Sequence, residues 1–299
     1  MRNFSILGLV VLAATYPGTA QAFGASFYWY SCGTACLTDR IQNFEDVLLK
    51  AQVFNTALFF LSAFLLGLLV RYGGWQVGYT RKILAGVLYL APFLYGYWWP
   101  FTQSHFLSTG QAMLALTVTC LVYLMCIAAM SAPIRCRIKP IEIAFASIDR
   151  PEDRPLTIPW LISSVVAMWL VLIVWQYSGS FQLHYVMLAL FISGVGDALA
   201  EPVGLRFGRH KYSTRAIGTK KLYTRSLEGS ACVFFSAVFG VLWVHNTTYG
   251  FTSDSEFFLA LVLFPVVATF AEAKSPHTWD QPFIVGCCGL TASAISSIS

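Results

Sequence analysis

The placement of apolar runs constrains this chain more than any single motif. Runs that could span a bilayer lie at about 53–70, 83–101, 111–130, 158–177, 184–200, 229–245, 256–272 and 282–298. A helix needs roughly 20 predominantly apolar residues to cross. Place the residues ahead of the first run outside. Then the inner loops hold every Lys and Arg except Arg2, Arg40 and Lys50, and the outer loops beyond the first run hold none. That distribution satisfies the positive-inside rule at every loop. Charged residues make up only 11% of the chain, against roughly 25% in soluble domains, so a soluble fold of this size is excluded. The expected fold is all-α: a polytopic membrane helix bundle of about eight transmembrane helices after an N-terminal signal-like segment.

Residues 1–22 read as that segment. Arg2 precedes the short apolar run from Ile6 to Ala14, and Ala20-Gln21-Ala22 has the pattern of a cleavage site; an uncleaved anchor is the plainer alternative. Residues 23–52 form a short extracytoplasmic segment in which Phe27, Tyr28, Trp29 and Tyr30 suit an interfacial belt. Residues 53–299 form one transmembrane domain. Cys32 and Cys36 fall outside, where a disulfide can form. Cys120, Cys126, Cys232, Cys287 and Cys288 lie in apolar runs, and Cys136 in a loop; with no paired spacing to histidines they read as packing residues, not a zinc site. His105, His184 and His245 occur singly on the outer side and read as surface or interfacial. Asn246-Thr247-Thr248 has the pattern of a glycosylation sequon.

The chemistry gathers around GVGDALAEPVGLRFGRHKY, residues 194–212. Asp197 and Glu201 stand four apart, neighbours on one helix face, and Pro202 removes the donor for the Ala198 carbonyl, so the helix is expected to kink or end there. Gly196, Ala200, Gly204 and Gly208 form a smooth face that another helix or a ligand can approach closely. Two carboxylates, a freed carbonyl and glycines would suit Mg²⁺, which commonly takes one or two carboxylates plus substrate phosphates. The plainer alternative pairs both acids with arginines of the next loop. That loop carries Arg206, Arg209, Lys211, Arg215, Lys220, Lys221 and Arg225 beside His210. Topology alone makes inner loops basic, anionic lipid would attract the same charge, and a nucleoside triphosphate would use it. Nucleic acid is not expected, because no binding module accompanies the charge.

Three further acids end on the same membrane face. Glu228 opens the sixth run, where an acid suits the helix dipole. Glu272 closes the seventh, where it opposes the dipole and calls for a cationic partner or a function. Asp280 follows Lys274 and His277 in the next loop. Arg81-Lys82 and the Arg150–Arg154 stretch read as flanking charge.

These residues resemble the polyprenol kinase family, which includes dolichol and phytol kinases and is related to phosphatidate cytidylyltransferases. The resemblance rests on GDALAEPVGLRFGRHKY (196–212), RSLEGS (225–230) and ATFAEAKSPHTWDQP (268–282), in the expected order over roughly the last 110 residues. Arg81-Lys82 and Arg150–Arg154 are weaker upstream counterparts. The resemblance implies phosphoryl transfer from CTP or ATP to a long isoprenoid alcohol, with Mg²⁺, at the cytoplasmic face. It implies Asp197, Glu201 and Glu228 as catalytic residues, with Asp197 and Glu201 also on the metal. Arg206, Arg209, Lys211, Lys220 and Arg225 would meet the nucleotide phosphates, with Gly204 and Gly208 beside them, and Glu272 and Asp280 would complete the polar site. Ala85 stands where the family often has His, Arg225 where Lys is common, and Gln281 where Asn is usual. The loop between Gly208 and Glu228 is also longer than in phytol kinases. Two other functions remain open from sequence: a CTP-dependent cytidylyltransferase acting on phosphatidate, and a non-enzymatic lipid or ion transporter.

Overall fold

The structure is a computed structural model, described here for residues 44–94, 109–178, 180–217, 222–246, 250–276 and 278–298. The signal-like segment, the 27–30 aromatics, Cys32, Cys36, His105, Lys220, Lys221, His277 and the threonines of the sequon lie outside those residues. Eleven α-helices follow in order among the described residues: α1 (Phe44–Gly73), α2 (Val77–Leu94), α3 (Thr109–Ala129), α4 (Ala132–Arg135), α5 (Lys139–Ala146), α6 (Thr157–Tyr177), α7 (Leu183–Phe191), α8 (Ala198–Phe207), α9 (Leu227–His245), α10 (Asp254–Lys274) and α11 (Asp280–Ile298). Six helical segments have the length and composition of membrane spans: 48–73, 157–177, 184–207, 227–245, 254–274 and 280–298. Their outward faces carry Leu65, Val174, Leu205, Phe235, Val266 and Leu290 in exposed positions, a pattern that lipid favours and water does not. This is a multi-pass helical bundle.

Three expectations change. The first helix begins nine residues before its apolar run, at Phe44, inside the segment assigned to the outer side. The second helix begins at Val77, so Arg81 and Lys82 sit inside it rather than at its mouth. The bundle is also not purely helical. Lys211–Arg215 (β1) and Leu222–Ser226 (β2) pair antiparallel, with Lys211 opposite Ser226 and Arg215 opposite Leu222. Tyr, Thr and Ser alternate with Lys and Arg there, a half-buried pattern that suits a ribbon, which the basic charge of the loop masks in the sequence.

Helix five of the sequence reading departs from expectation in a different way. It does not end at Pro202. The chain passes from α7 through a π-helical turn, Ile192–Asp197, into α8, and Pro202 is carried within α8. The irregularity lies one turn earlier than the proline. It re-aims the face carrying Asp197, and such turns commonly sit at functional sites.

Two large cores hold the bundle, beside a small cluster of Leu48, Ala115 and Leu116. One gathers Tyr185, Val233, Val241, Phe264, Ile284 and Ile295 from α7, α9, α10 and α11. The other gathers Phe59, Leu66, Leu84, Ile127 and Phe145 from α1, α2, α3 and α5, with Met130 from the turn after α3. The segment from α7 to α8 lies between α2 and α9, and small residues bring both neighbours close. On one side, a Cβ on Gly86 would stand 2.7 Å from the Gly194 carbonyl oxygen. On the other, a Cβ on Gly229 would stand 2.7 Å from the Ala200 carbonyl, and one on Gly204 would stand 2.8 Å from Ser226 Oγ. The expected smooth face thus packs against the start of α9.

Candidate functional site

The seam between α2 and the π-turn runs antiparallel, and its register sets the site. Gly86 meets Gly194; one turn along, Lys82 meets Asp197; one more turn along, Gly78 meets Glu201, whose Oε1 would lie 2.7 Å from a Cβ there. Glycines at both outer positions let the backbones close on the charged pair between them. Lys82 and Asp197 are 5% and 1% exposed, too buried for either to be charged alone. Lys82 Nζ donates to Asp197 Oδ1 at 2.7 Å, to Asp197 Oδ2 at 2.8 Å and to Asp280 Oδ2 at 3.0 Å. One ammonium therefore joins α2, the π-turn and α11.

A second linkage closes the far wall. Arg225, at the end of β2, donates to Glu272 Oε1 on α10 and to Ser275 Oγ at 3.2 Å. Ser275 Oγ in turn bonds Asp280 Oδ1 at 2.9 Å, so the Lys82 and Arg225 systems meet at Asp280. Burial works against the Arg225 charge, but the carboxylates of Glu272, Asp280 and Asp197 outweigh it and hold the guanidinium pKa above its usual value. Glu272 thus has the cationic partner its position at a helix end required. Arg150 donates to Asp153 at 3.0 Å and lies 3.7 Å from Glu201 Oε1, and Arg81 lies 3.8 Å from Asp153.

These groups surround a polar cavity of about 420 Å³. Asp197, Glu201, Gly204, Lys211, Arg225, Glu272 and Asp280 line it, seven of the residues picked from the sequence. So do Arg81, Lys82 and Arg150, read there as flanking charge. The remaining candidates stand elsewhere. Glu228 accepts from the backbone N–H groups of Arg209 and His210 and pairs with His210 Nδ1 at 2.9 Å, which ties the start of the hairpin to α9. Arg206 and Arg209 are exposed and do not line the cavity, and Gly208 packs against Ser226. The signal that singles out Lys82 is a lysine between Gly78 and Gly86 at helical spacing, next to an apolar run. A charge so placed needs a counter-ion.

The carboxylates do not fit a metal held by Asp197 and Glu201 together. The Lys82 ammonium donates to both Asp197 oxygens, and among the described residues no three His, Cys, Asp or Glu side chains converge as ligands. Glu201 fits better, because its ion pair with Arg150 is a long one. It could share Mg²⁺ with the oxygens of a phosphate ligand, a donor set that ion often uses.

A second cavity, about 230 Å³ and mostly apolar, lies beside the first between α2, α3 and α6. Leu84, Leu88, Leu116, Tyr123, Met168 and Trp169 line it, and Arg81, Lys82 and Asp280 belong to the walls of both. An apolar chamber and an ionic chamber therefore meet at one lysine–carboxylate junction.

The chain matches no protein-family model, and no curated protein and no solved structure is similar enough to be matched with it.

Proposed function

We propose that this protein is a membrane lipid kinase, transferring the terminal phosphoryl group of a nucleoside triphosphate, CTP by the sequence resemblance, to a long-chain isoprenoid alcohol. In this reading the chain crosses the membrane eight times, with α2 and α3 among the spans, and the polar cavity faces the cytoplasm, where the basic loops fall. The observation that carries it is the meeting of the two cavities at Lys82 and Asp280. A phosphoryl transfer to lipid needs one apolar and one anionic substrate to meet at a single point.

The chemistry follows from the side chains. The alcohol oxygen attacks the terminal phosphorus, the bond from that phosphorus to the bridging oxygen breaks, and the nucleoside diphosphate leaves with that oxygen. The hydroxyl proton passes to Asp197. Each oxygen of a carboxylate has two lone-pair directions, so Asp197 can accept that proton beside the Lys82 contact. Arg81, Lys82, Arg150, Lys211 and Arg225 neutralise the charge spread over the phosphate oxygens, the main task in such a transfer. Ser226, Gly229 and Ser230 bring the start of α9 to the cavity wall, and a helix N-terminus favours phosphate there. Glu201 would hold Mg²⁺ together with the nucleotide's phosphate oxygens, and the ion would supply further positive charge there.

The test is incubation of the purified full chain with prenols and γ-labelled CTP or ATP. Labelled phospholipid is expected with at least one pairing. No labelled lipid under any pairing overturns the proposal, and label retained from an α-labelled nucleotide would instead indicate cytidylyl transfer.

A further inference from the structure

The apolar cavity has dimensions and an unused polar group that say how a lipid alcohol would be held. Its described walls run from Leu161 to Leu172 on α6 and from Ile127 to Leu116 on α3. At 1.5 Å per residue both stretches are about 16 Å long, close to half of a hydrocarbon core of about 30 Å. On the scale of a cavity of about 150 Å³ that holds one benzene, the volume of about 230 Å³ takes roughly nine carbons, the leading part of one chain. At its polar end sits Thr278, which lines the cavity beside Asp280. Its backbone is left-handed, with φ 68°, a conformation β-branched residues rarely adopt. Its buried hydroxyl has no hydrogen-bond partner among the described residues. A strained residue with an unsatisfied buried hydroxyl at the mouth of an apolar slot points to a ligand that brings the missing polar atom.

We propose that this cavity is the slot for a single lipid chain in the leaflet nearest the polar site, and that the Thr278 hydroxyl hydrogen-bonds the oxygen of the lipid alcohol. This rests on the kinase reading for its substrate class and adds the chain's location, the number of chains and a specificity-determining residue. The slot selects a single-chain alcohol over a two-chain glyceride. Affinity rises with chain length until the chain is as long as the described walls, and changes little beyond that.

Two measurements on the full chain in nanodiscs test it. Cys120 lines the slot, while Cys136 lies exposed in a loop. Geranylgeraniol is expected to slow alkylation of Cys120 by N-ethylmaleimide about 10-fold or more, with Cys136 unchanged and hexanol without effect. In steady-state assays Thr278→Gly, which relieves the backbone, is expected to raise the KM for the alcohol about 3- to 10-fold, the range of one lost hydrogen bond. The KM for the nucleotide stays constant, and Thr278→Ser behaves as the parent. Phosphorylated geranylgeraniol with no protection of Cys120 overturns the slot and leaves the kinase reading standing. Protection of Cys120 with no phosphate transfer supports the slot and counts against the kinase reading. An equal rise in KM for alcohol and nucleotide in Thr278→Gly overturns the role of Thr278.

Discussion

The ammonium of Lys82 lies 2.7 and 2.8 Å from the two oxygens of Asp197, and both side chains are almost wholly buried. The pair links α2 to the π-turn, and the contact from Lys82 to Asp280 extends the link to α11. Removing Lys82 alone leaves two carboxylates, Asp197 and Asp280, without their ammonium, whereas removing Asp197 with it leaves only Asp280, which keeps its hydrogen bond from Ser275 Oγ.

Lys82→Met is therefore expected to lower stability by about 3–5 kcal/mol, the usual cost of breaking a buried ion pair. Adding Asp197→Asn to Lys82→Met should restore much of that loss, and the strength of coupling is read from a double-mutant cycle in detergent unfolding. The double variant recovers the fold but not phosphoryl transfer. Additive losses in stability would show that the pair is not a unit. Full activity in both Asp197→Asn and Asp197→Ala would remove Asp197 from the proposed chemistry.

Gly86→Ala tests whether the closeness of the seam sets this geometry. The new Cβ meets the Gly194 carbonyl at 2.7 Å and the Ala198 Cβ at 3.1 Å, so α2 must move away from the π-turn. Overpacking of this sort costs about 1–3 kcal/mol, and a displacement near 1 Å at reacting groups can cost about 100-fold in rate. Gly286→Ala is the control: there the nearest atom is Val171 Cγ1 at 3.6 Å, and both stability and activity should hold. Activity assays alongside thermal melts separate the two effects.

The sequence displays the membrane bundle openly because lipid imposes long apolar runs, and six helical segments with that character are present. It displays the carboxylates too, since Asp197, Glu272 and Asp280 stand at the ends of such runs. What it hides is pairing. Lys82 and Arg150 look like the flanking cations of any inner loop, and only the antiparallel seam through Gly78 and Gly86 brings Lys82 onto Asp197. Glu228 misleads in the opposite direction. Beside the other acids it reads as part of the site, but hydrogen bonds from the backbone at Arg209 and His210 commit it to the hairpin. The hairpin itself is hidden by its charge, since Lys211, Arg215 and Arg225 read as a basic loop while the alternating Tyr and Thr pair as strands.

Arg225 joins the hairpin to α10 and α11, and its role depends on the planar fork of the guanidinium. It reaches Glu272 with one nitrogen and Ser275 with another, a contact made through two separate nitrogens of a planar fork, whose geometry a single ammonium nitrogen does not match. Arg225→Lys is expected to keep the fold and raise the KM for the nucleotide about 10-fold, with the KM for the alcohol constant. Arg225→Ala leaves the buried Glu272 carboxylate with Ser230 Oγ at 3.5 Å, and should also lower the melting temperature by several degrees. Unchanged nucleotide KM in both variants would take Arg225 out of the phosphate site.

At the other end of α7, His184 is buried rather than interfacial. Its Nε2 lies 3.2 Å from Glu256 Oε1, which also accepts from Tyr185 Oη at 2.7 Å, and Glu256 Oε2 accepts from Thr252 N and Oγ1 at 2.7 Å. Ser253 caps α10 by accepting from Glu256 N, so one carboxylate ties α7 to the start of α10. None of these groups lines the polar cavity. Glu256→Leu, which leaves the buried Tyr185 hydroxyl and the buried His184 ring without their carboxylate partner, is expected to cost about 2–4 kcal/mol, as unsatisfied buried polar groups do. The folded fraction should keep its substrate KM values. A Glu256→Leu protein as stable as the parent would mean that this cluster does not hold α7 in place. A selective change in KM, with stability intact, would mean that the π-turn carries information from this end of the helix to Asp197.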